Sequence, residues 1–526
     1  MMKRLLLILL PLFFLHACVR NDIPFPYMEL NIEGIEMEGQ TEVWIDRDKK
    51  EVVIEFDELT DLSKVKVKSL KVSNDTIKGF ESSVKEGMVL DMTRICTAVF
   101  SLYQDFEWHL KAVQHVDRYF KVDGQVGEGE IFPQAKKAIA YVAKGTNVSN
   151  INIRSLKLGL EGAVMVPDIA EIKDFSKGDH SNMIKVKRGD SEEIWTLYIR
   201  ITNEVIRTEK VYPWVRIAWL YGSSVKEGEG SFEYCEDNGQ DAWTQVDSNA
   251  IVRSGNAFHA RLGGLQPMTK YKFRTVSGSD KGKELKFTTG EEVMLPNAGL
   301  DKWHKVGNVW NPWEEGGTSF WDTGNSGAAT LGNSNSLPSV SEKYDKKSDG
   351  NGAKLLSQFV GIGTVGKFAA GNLYVGRFVR VDGTNGIIDM GREFSSFPVR
   401  LTGYYKFTGG PINYTSSEKK YMEGQPDTCS MYIALGDWDE PVEVRTKPSN
   451  RKLFDKNDPH VIAYAEFMTP ASTVFYEKFS LDLEYRTMER TPKYLLIVFS
   501  ASKYGDFFTG STQSILWLDE LQLEYE

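Results

Sequence analysis

The chain has 526 residues, of which 12% are aromatic, 26% charged and 41% hydrophobic, with 46 Gly and 18 Pro. That composition excludes a collagen-like chain, low-complexity disorder and a polytopic membrane protein, and at roughly 150 residues per domain the length predicts three or four globular domains. A formal charge of -10 excludes a nucleic-acid backbone as partner, because no basic surplus is available to displace its counterions.

Residues 1–17 read as a secretory signal peptide: Lys3 and Arg4 form a charged start, and Leu5 to Leu15 an apolar core too short to span a bilayer as a helix. Leu15-His16-Ala17-Cys18 resembles a bacterial lipobox, although His16 departs from the usual small or apolar residue. The resemblance implies cleavage before Cys18 and a lipid anchor on it, and the export compartment permits disulfides. Cys96, Cys235 and Cys429 are too far apart in sequence to form a framework and read as small buried hydrophobes.

Past the anchor, short alternating or β-branched runs such as Glu51–Phe56 and Val65–Lys68 are punctuated by Gly, Asn and Asp, which predicts an all-β chain of sandwiches. The first half matches itself at an offset of about 86 residues. Ser69-Leu70-Lys71-Val72 aligns with Ser155-Leu156-Lys157-Leu158, and Trp108-His109-Leu110 with Trp195-Thr196-Leu197, each Trp placed to plug a core. Two tandem Ig-like modules are therefore expected over 25–116 and 117–203. The pair resembles the small sandwiches between anchor and working domain of Bacteroidetes surface lipoproteins.

Residues 205–290 differ. Arg261 to Arg274, closing with Lys286-Phe287-Thr288-Thr289, resembles a fibronectin type III domain, with Leu265, Pro267, Thr269 and Tyr271 in the spacing of a tyrosine corner. The resemblance implies a spacer or platform.

From about 295 to 526 the composition shifts toward Gly, Asn and aromatics. Trp303, Trp310, Trp313 and Trp321 fall within nineteen residues, close to Asp322 and Asn325. Indole faces stack on sugar rings and nearby amides and carboxylates bond their hydroxyls, so the cluster fits a neutral carbohydrate, against the alternative that the indoles fill the core. This region resembles the putative carbohydrate metabolism domain of Bacteroidetes lipoproteins. The residues that carry the likeness are Trp303, Trp310 to Trp313, Phe320 to Asn325, Gly366 to Gly376, Gly403 to Phe407, and Ser500 to Gly510, and Tyr374 joins the four tryptophans, Asp322 and Asn325 as an expected sugar contact. It implies a jelly-roll sandwich similar to carbohydrate-binding modules. The last strand, Ser514 to Tyr525, also resembles the closing strand of such jelly rolls, where acids of the first and last strands can meet around a structural calcium; Asp301 and Asp519 stand in those places, either as that pair or as two solvated or capping aspartates.

Catalysis would need two facing carboxylates. Asp322, Asp437, Asp439, Glu440 and Asp506 are the candidates, and none is singled out among 73 acidic residues. The seven histidines show no zinc-ligand spacing, and phosphate-loop, dinucleotide and Gly-x-Ser-x-Gly signatures are missing from the sequence. Asp75-Thr76-Ile77 resembles a Bacteroidetes O-glycosylation acceptor and equally reads as a plain turn. The expectation is a lipid-anchored envelope protein, facing the cell surface from the outer membrane, whose jelly roll binds a glycan without a required cofactor. Protein partners in a surface glycan-uptake complex accompany that reading. A glycoside hydrolase and a non-catalytic adhesin are its rivals.

Overall fold

The computed structural model describes residues 29–526 apart from 74–78, 190, 331, 345, 347–348 and 363–364. The signal segment, Cys18 and Thr76 lie outside the described residues. Among the described residues nearly all regular secondary structure is strand, and the chain divides into two compact units, residues 1–115 and 116–526. No described helix is long and apolar enough to cross a membrane. Cys96, Cys235 and Cys429 form no disulfide.

In the first unit, a sheet of Ile32–Met37, Val65–Val72 and Val89–Leu90 accompanies a five-stranded sheet that includes Glu51–Phe56 and Asp105–Val113. Alternation sets the faces: Val52, Ile54 and Phe56 are buried, while the residues between them are partly exposed. Trp108 is fully buried in this core and donates its indole N–H to the Leu30 carbonyl at 3.2 Å.

The second unit begins with a sandwich that repeats the same connections. Tyr119–Val122 pairs with Ile153–Lys157, as Ile32–Met37 pairs with Val65–Val72. Lys137–Ala143 runs parallel to Ser191–Thr202, as Glu51–Phe56 runs parallel to Asp105–Val113. Trp195, on the same strand as Trp108 in that scheme, is likewise fully buried. The following strands, from Ile206–Pro213 to Leu285–Thr288, form two antiparallel sheets around Phe232, Phe258 and Phe273. There the Tyr271 hydroxyl accepts the Gln266 N–H at 3.0 Å and ties its strand to the preceding turn.

The C-terminal sandwich packs a nine-stranded antiparallel sheet, with Asn372–Asp382, Tyr494–Ser500 and Cys429–Gly436 adjacent at its centre, against a five-stranded sheet containing Ile515–Glu524 and Arg400–Thr408. Leu373, Met431, Ile433, Ile497 and Phe499 of the first meet Tyr405, Phe407, Leu516 and Leu518 of the second in one core. Val215, from the preceding sandwich, enters this same core. Opposite it, the large sheet carries a second apolar cluster with Tyr374, Met390, Leu496 and Val498. Apolar packing on both faces explains why central strands such as Tyr494–Ser500 read as continuous hydrophobic runs.

Candidate functional site

The outer face of the nine-stranded sheet opens into a cavity of about 440 Å³. Its floor comes from one side of three neighbouring strands: Asn372 and Tyr374, Ser430 and Tyr432, Val498 and Ser500, each pair spaced by two residues as the pleat requires. One wall is the hairpin of Gln358–Ile362 and Val365–Ala369, which contributes Val360, Lys367 and Phe368. Gly366 lets its two strands close up, since a β-carbon there would lie 2.3 Å from the Val360 carbonyl oxygen. The helical turn Asn325–Ala328, the tight turn at Gly383 to Asn385 and the Gly505 to Phe508 segment complete the enclosure.

The cavity is mixed in chemistry. Phe378, Tyr432 and Phe508 supply partly exposed ring surface, with Tyr374 and Phe368 buried behind them. Asn335 is buried and donates to the Ala369 carbonyl at 3.2 Å, but its Oδ1 has no protein partner. Lys367 Nζ donates to Asn385 Oδ1 at 2.8 Å and lies 4.2 Å from the centroid of the Phe508 ring. Burial holds that ammonium below its usual range, and the like charge of Arg451 adds to the effect. Asp506 retains accessible surface while protein surrounds it, as befits a carboxyl standing inside a recess. This crowding pushes its protonation upward against the opposing pull of Arg451.

Of the seven residues read from sequence as sugar contacts, Tyr374 lines this cavity. Trp321 does not: it is fully buried and donates its indole N–H to the Pro296 carbonyl at 2.7 Å, so it serves the core. Trp303 packs against the same core and donates to the Leu300 carbonyl at 2.8 Å. Trp310 and Trp313 keep part of their surface, with Trp313 set edge-on to His304 at 5.3 Å, but neither lines the cavity. Asp322 and Asn325 are committed to the backbone. The Asp322 carboxylate accepts from the N–H groups of Phe378 and Thr323, each at 2.7 Å, and burial raises its protonation. Asn325 accepts from Asn335 and Ser336 N–H at 2.9 Å and donates to the Trp310 and Ser336 carbonyls at 2.7 Å, which exhausts an amide's geometry. Both residues staple the wall of the cavity and offer nothing further to a sugar.

The acidic run Asp437 to Glu440 is also occupied elsewhere. Asp437 takes Arg490 at 3.2 Å and His460 at 3.1 Å, and Asp439 takes Lys493 at 2.7 Å. Asp519 is buried, and its two oxygens accept the N–H groups of Tyr344 at 2.6 Å and Glu520 at 3.0 Å. The Asp301 charge reaches it, so acids near the two ends of the domain do approach each other. Among the described residues, however, no group of three or more His, Cys, Asp or Glu side chains is gathered to hold a metal ion.

Sequence reasoning on single residues missed Phe378, Tyr432 and Lys367. Two segments that carried the family likeness nevertheless meet here: Gly366 to Tyr374 on the wall and floor, and Ser500 to Phe508 across from them. Residues 295–524 match the family described as putative carbohydrate metabolism domain. The chain matches no curated protein. Among solved structures, it is similar to a putative glycoside hydrolase from Bacteroides thetaiotaomicron, with 17% identity, 78% of this chain and 96% of that one covered, and a TM-score of 0.31. A second, from Bacteroides vulgatus, shows 22% identity, coverage of 43% and 95%, and a TM-score of 0.33. The N-terminal CBM22 tandem of a Paenibacillus barcinonensis protein is 7% identical over 66% of this chain and 91% of its own, with a TM-score of 0.19.

Proposed function

We propose that the C-terminal domain binds a glycan in the cavity on the outer face of its large sheet. The observation that carries this reading is the arrangement of ring surface beside polar groups with unused capacity. Phe378 and Tyr432 offer ring surface above the buried Tyr374, while Asn335 Oδ1 is buried without a protein partner and the Asp506 carboxyl lines the cavity. A sugar presents a C–H face to rings and hydroxyls to such acceptors, and the volume lies in the range of small-ligand sites. The match of residues 295–524 to a carbohydrate-related family supports the same reading.

On this reading the mature chain is carried on a lipid at Cys18, in the outer membrane facing outward. The sandwiches before residue 295 then act as spacers, and a surface glycan-uptake complex supplies protein partners. A second reading, glycoside hydrolysis, draws on Asp506, whose upward-shifted protonation suits a general acid. Asp506 is the one carboxylate among the described lining residues, whereas a two-carboxylate mechanism needs a facing partner.

The test is a glycan array followed by titration calorimetry on the mature chain, with released reducing sugar assayed in parallel. Tyr432→Ala is expected to weaken binding by about tenfold or more, in line with loss of a ring–sugar contact. Trp310→Ala and Trp313→Ala should leave it unchanged; the reverse pattern would move the site to the tryptophan stretch. Sugar release abolished by Asp506→Asn would establish the hydrolase instead.

A further inference from the structure

Lys367 brings a positive charge into the cavity, where Asp506 is the one carboxylate among the described lining residues and forms no ion pair with it. Among the described residues, no carboxylate lies within ion-pair distance of its ammonium, and its neighbours are the neutral amide oxygen of Asn385 and the ring of Phe508. An ammonium has three N–H donors, and Asn385 takes one of them. Withdrawing such a group from water without a counter-ion is costly, and the cost is met when a ligand supplies the anion. The surroundings add more positive charge. Arg451 stacks 4.4 Å from the Phe507 centroid, Lys419 lies 4.6 Å from the same ring, and Lys503 lines the cavity. In a chain with a formal charge of -10, two lysines against one carboxylate, Asp506, among the described lining residues, with Lys419 and Arg451 around the neighbouring Phe507 ring, depart from the overall balance. Arg451 is paired with Glu418 at 2.5 Å, which offsets its charge and leaves Lys367 and Lys503 as the cations that line the cavity.

We propose that the glycan held in this cavity is acidic, with a carboxylate or sulfate group of one sugar seated on the Lys367 ammonium while its hydroxyls meet Asn335 and Asp506. The inference rests on the glycan reading above and narrows it to a substrate class. Carboxylate and sulfate share the chemistry that Lys367 recognises: an anionic oxygen accepting a charge-assisted hydrogen bond.

The experiment is titration calorimetry of the mature chain with three probes: a hexuronate oligosaccharide, its carboxyl-reduced counterpart, and a sulfated oligosaccharide on a neutral backbone. The expected result is binding of an acidic probe at least about tenfold tighter than the reduced one, weakening as salt is raised. Lys367→Met, which keeps the apolar stem over Phe508, should erase that preference, bringing the acidic and reduced probes to similar affinity. The salt series on the unaltered protein stands even if the variant folds poorly. Preference for the hexuronate assigns the anion as a carboxylate, and preference for the sulfated probe alone assigns it as a sulfate. Equal or tighter binding of the carboxyl-reduced probe, without salt dependence, would overturn the acidic-glycan proposal and leave glycan binding in place. Binding of no probe and no glycan on the array would overturn both.

Discussion

Trp214 packs against Tyr485 with ring centroids 4.4 Å apart, one residue from the sandwich before 290 and the other from the C-terminal domain. Phe397 stacks on the same indole at 5.8 Å, Arg216 bonds Glu292, and the Gly264 N–H donates to Glu526 Oε1 at 2.6 Å. With Val215 inside the C-terminal core, these contacts join the two sandwiches as a packed pair. Trp214→Ala should therefore cost about 3–5 kcal/mol, the range for emptying a buried aromatic site. Calorimetry should show the two sandwiches melting together in the unaltered chain, with the variant lowering or splitting that transition. An unchanged melting profile would show the interface to be energetically idle.

Beneath the cavity, Asp427 gathers four donors. Its carboxylate accepts from Ser502 Oγ at 2.5 Å, Ser514 Oγ at 2.7 Å, and the N–H groups of Ser511 at 2.8 Å and Thr428 at 2.9 Å. Ser502 lines the cavity and also shares a hydrogen bond with Ser357 at 2.7 Å, so this network fixes one side of the site. Asp427→Ala leaves buried donors unmatched and should cost more than about 3 kcal/mol, read as a shift in the urea midpoint. Ligand affinity should fall as well, measured at a temperature where the variant remains folded. Retained stability would mean that the serines find other acceptors.

Much of the fold was legible because its physics is local. Val52, Ile54 and Phe56 alternate with partly exposed residues, and that period shows in the sequence. The repeat was visible through Trp108 and Trp195, each fixed by the core of its own sandwich. The site was less legible. A density of tryptophans between 303 and 321 gives no hint of which way the loops turn each indole, and Trp321 turned inward. Tyr374, Tyr432 and Val498 come from strands buried on both faces, so no alternation separates the cavity side from the core side. Their proximity is set by strand order, a long-range property. The family-like segments at 366–376 and 500–510 pointed there, and within them Tyr374 and Asp506 were the individual residues named from sequence that line the cavity.

Asn325 separates a structural role from a ligand-binding one. Both its donors serve carbonyl oxygens, of Trp310 and Ser336, and its oxygen serves two N–H groups. Asn325→Asp replaces the amide nitrogen with an acceptor that confronts those carbonyls, whereas Asn325→Ala merely leaves the groups unsatisfied. The expected order of stability is Asn, then Ala, then Asp, with the Ala variant down by about 2–3 kcal/mol. Thermal melts of the three proteins check the order. Undiminished stability with lost glycan binding would return Asn325 to the list of sugar contacts.

Asp519 makes stability depend on pH in a direction opposite to most carboxylates. It is 3% exposed, and burial, with smaller contributions from the neighbouring charges of Glu520 and Asp301, pushes its value from 3.8 up to about 6. Below about pH 4 the folded and unfolded chains both hold this proton, and the full contribution is present. As pH rises from about 4 to about 6 the unfolded chain gives the proton up first, so stability is lost across that window and levels off above it. A shift of this size corresponds to about 3 kcal/mol. Asp519→Asn removes the titration; its one amide oxygen serves one of the two N–H groups, and the loss at the other is an offset that does not vary with pH. The difference in unfolding free energy, variant minus unaltered chain, should therefore increase by about 2–3 kcal/mol between about pH 4 and pH 7, measured by urea unfolding of both proteins at each pH. A constant difference would place the Asp519 carboxyl in its ordinary range and show that the backbone donors offset its burial in full.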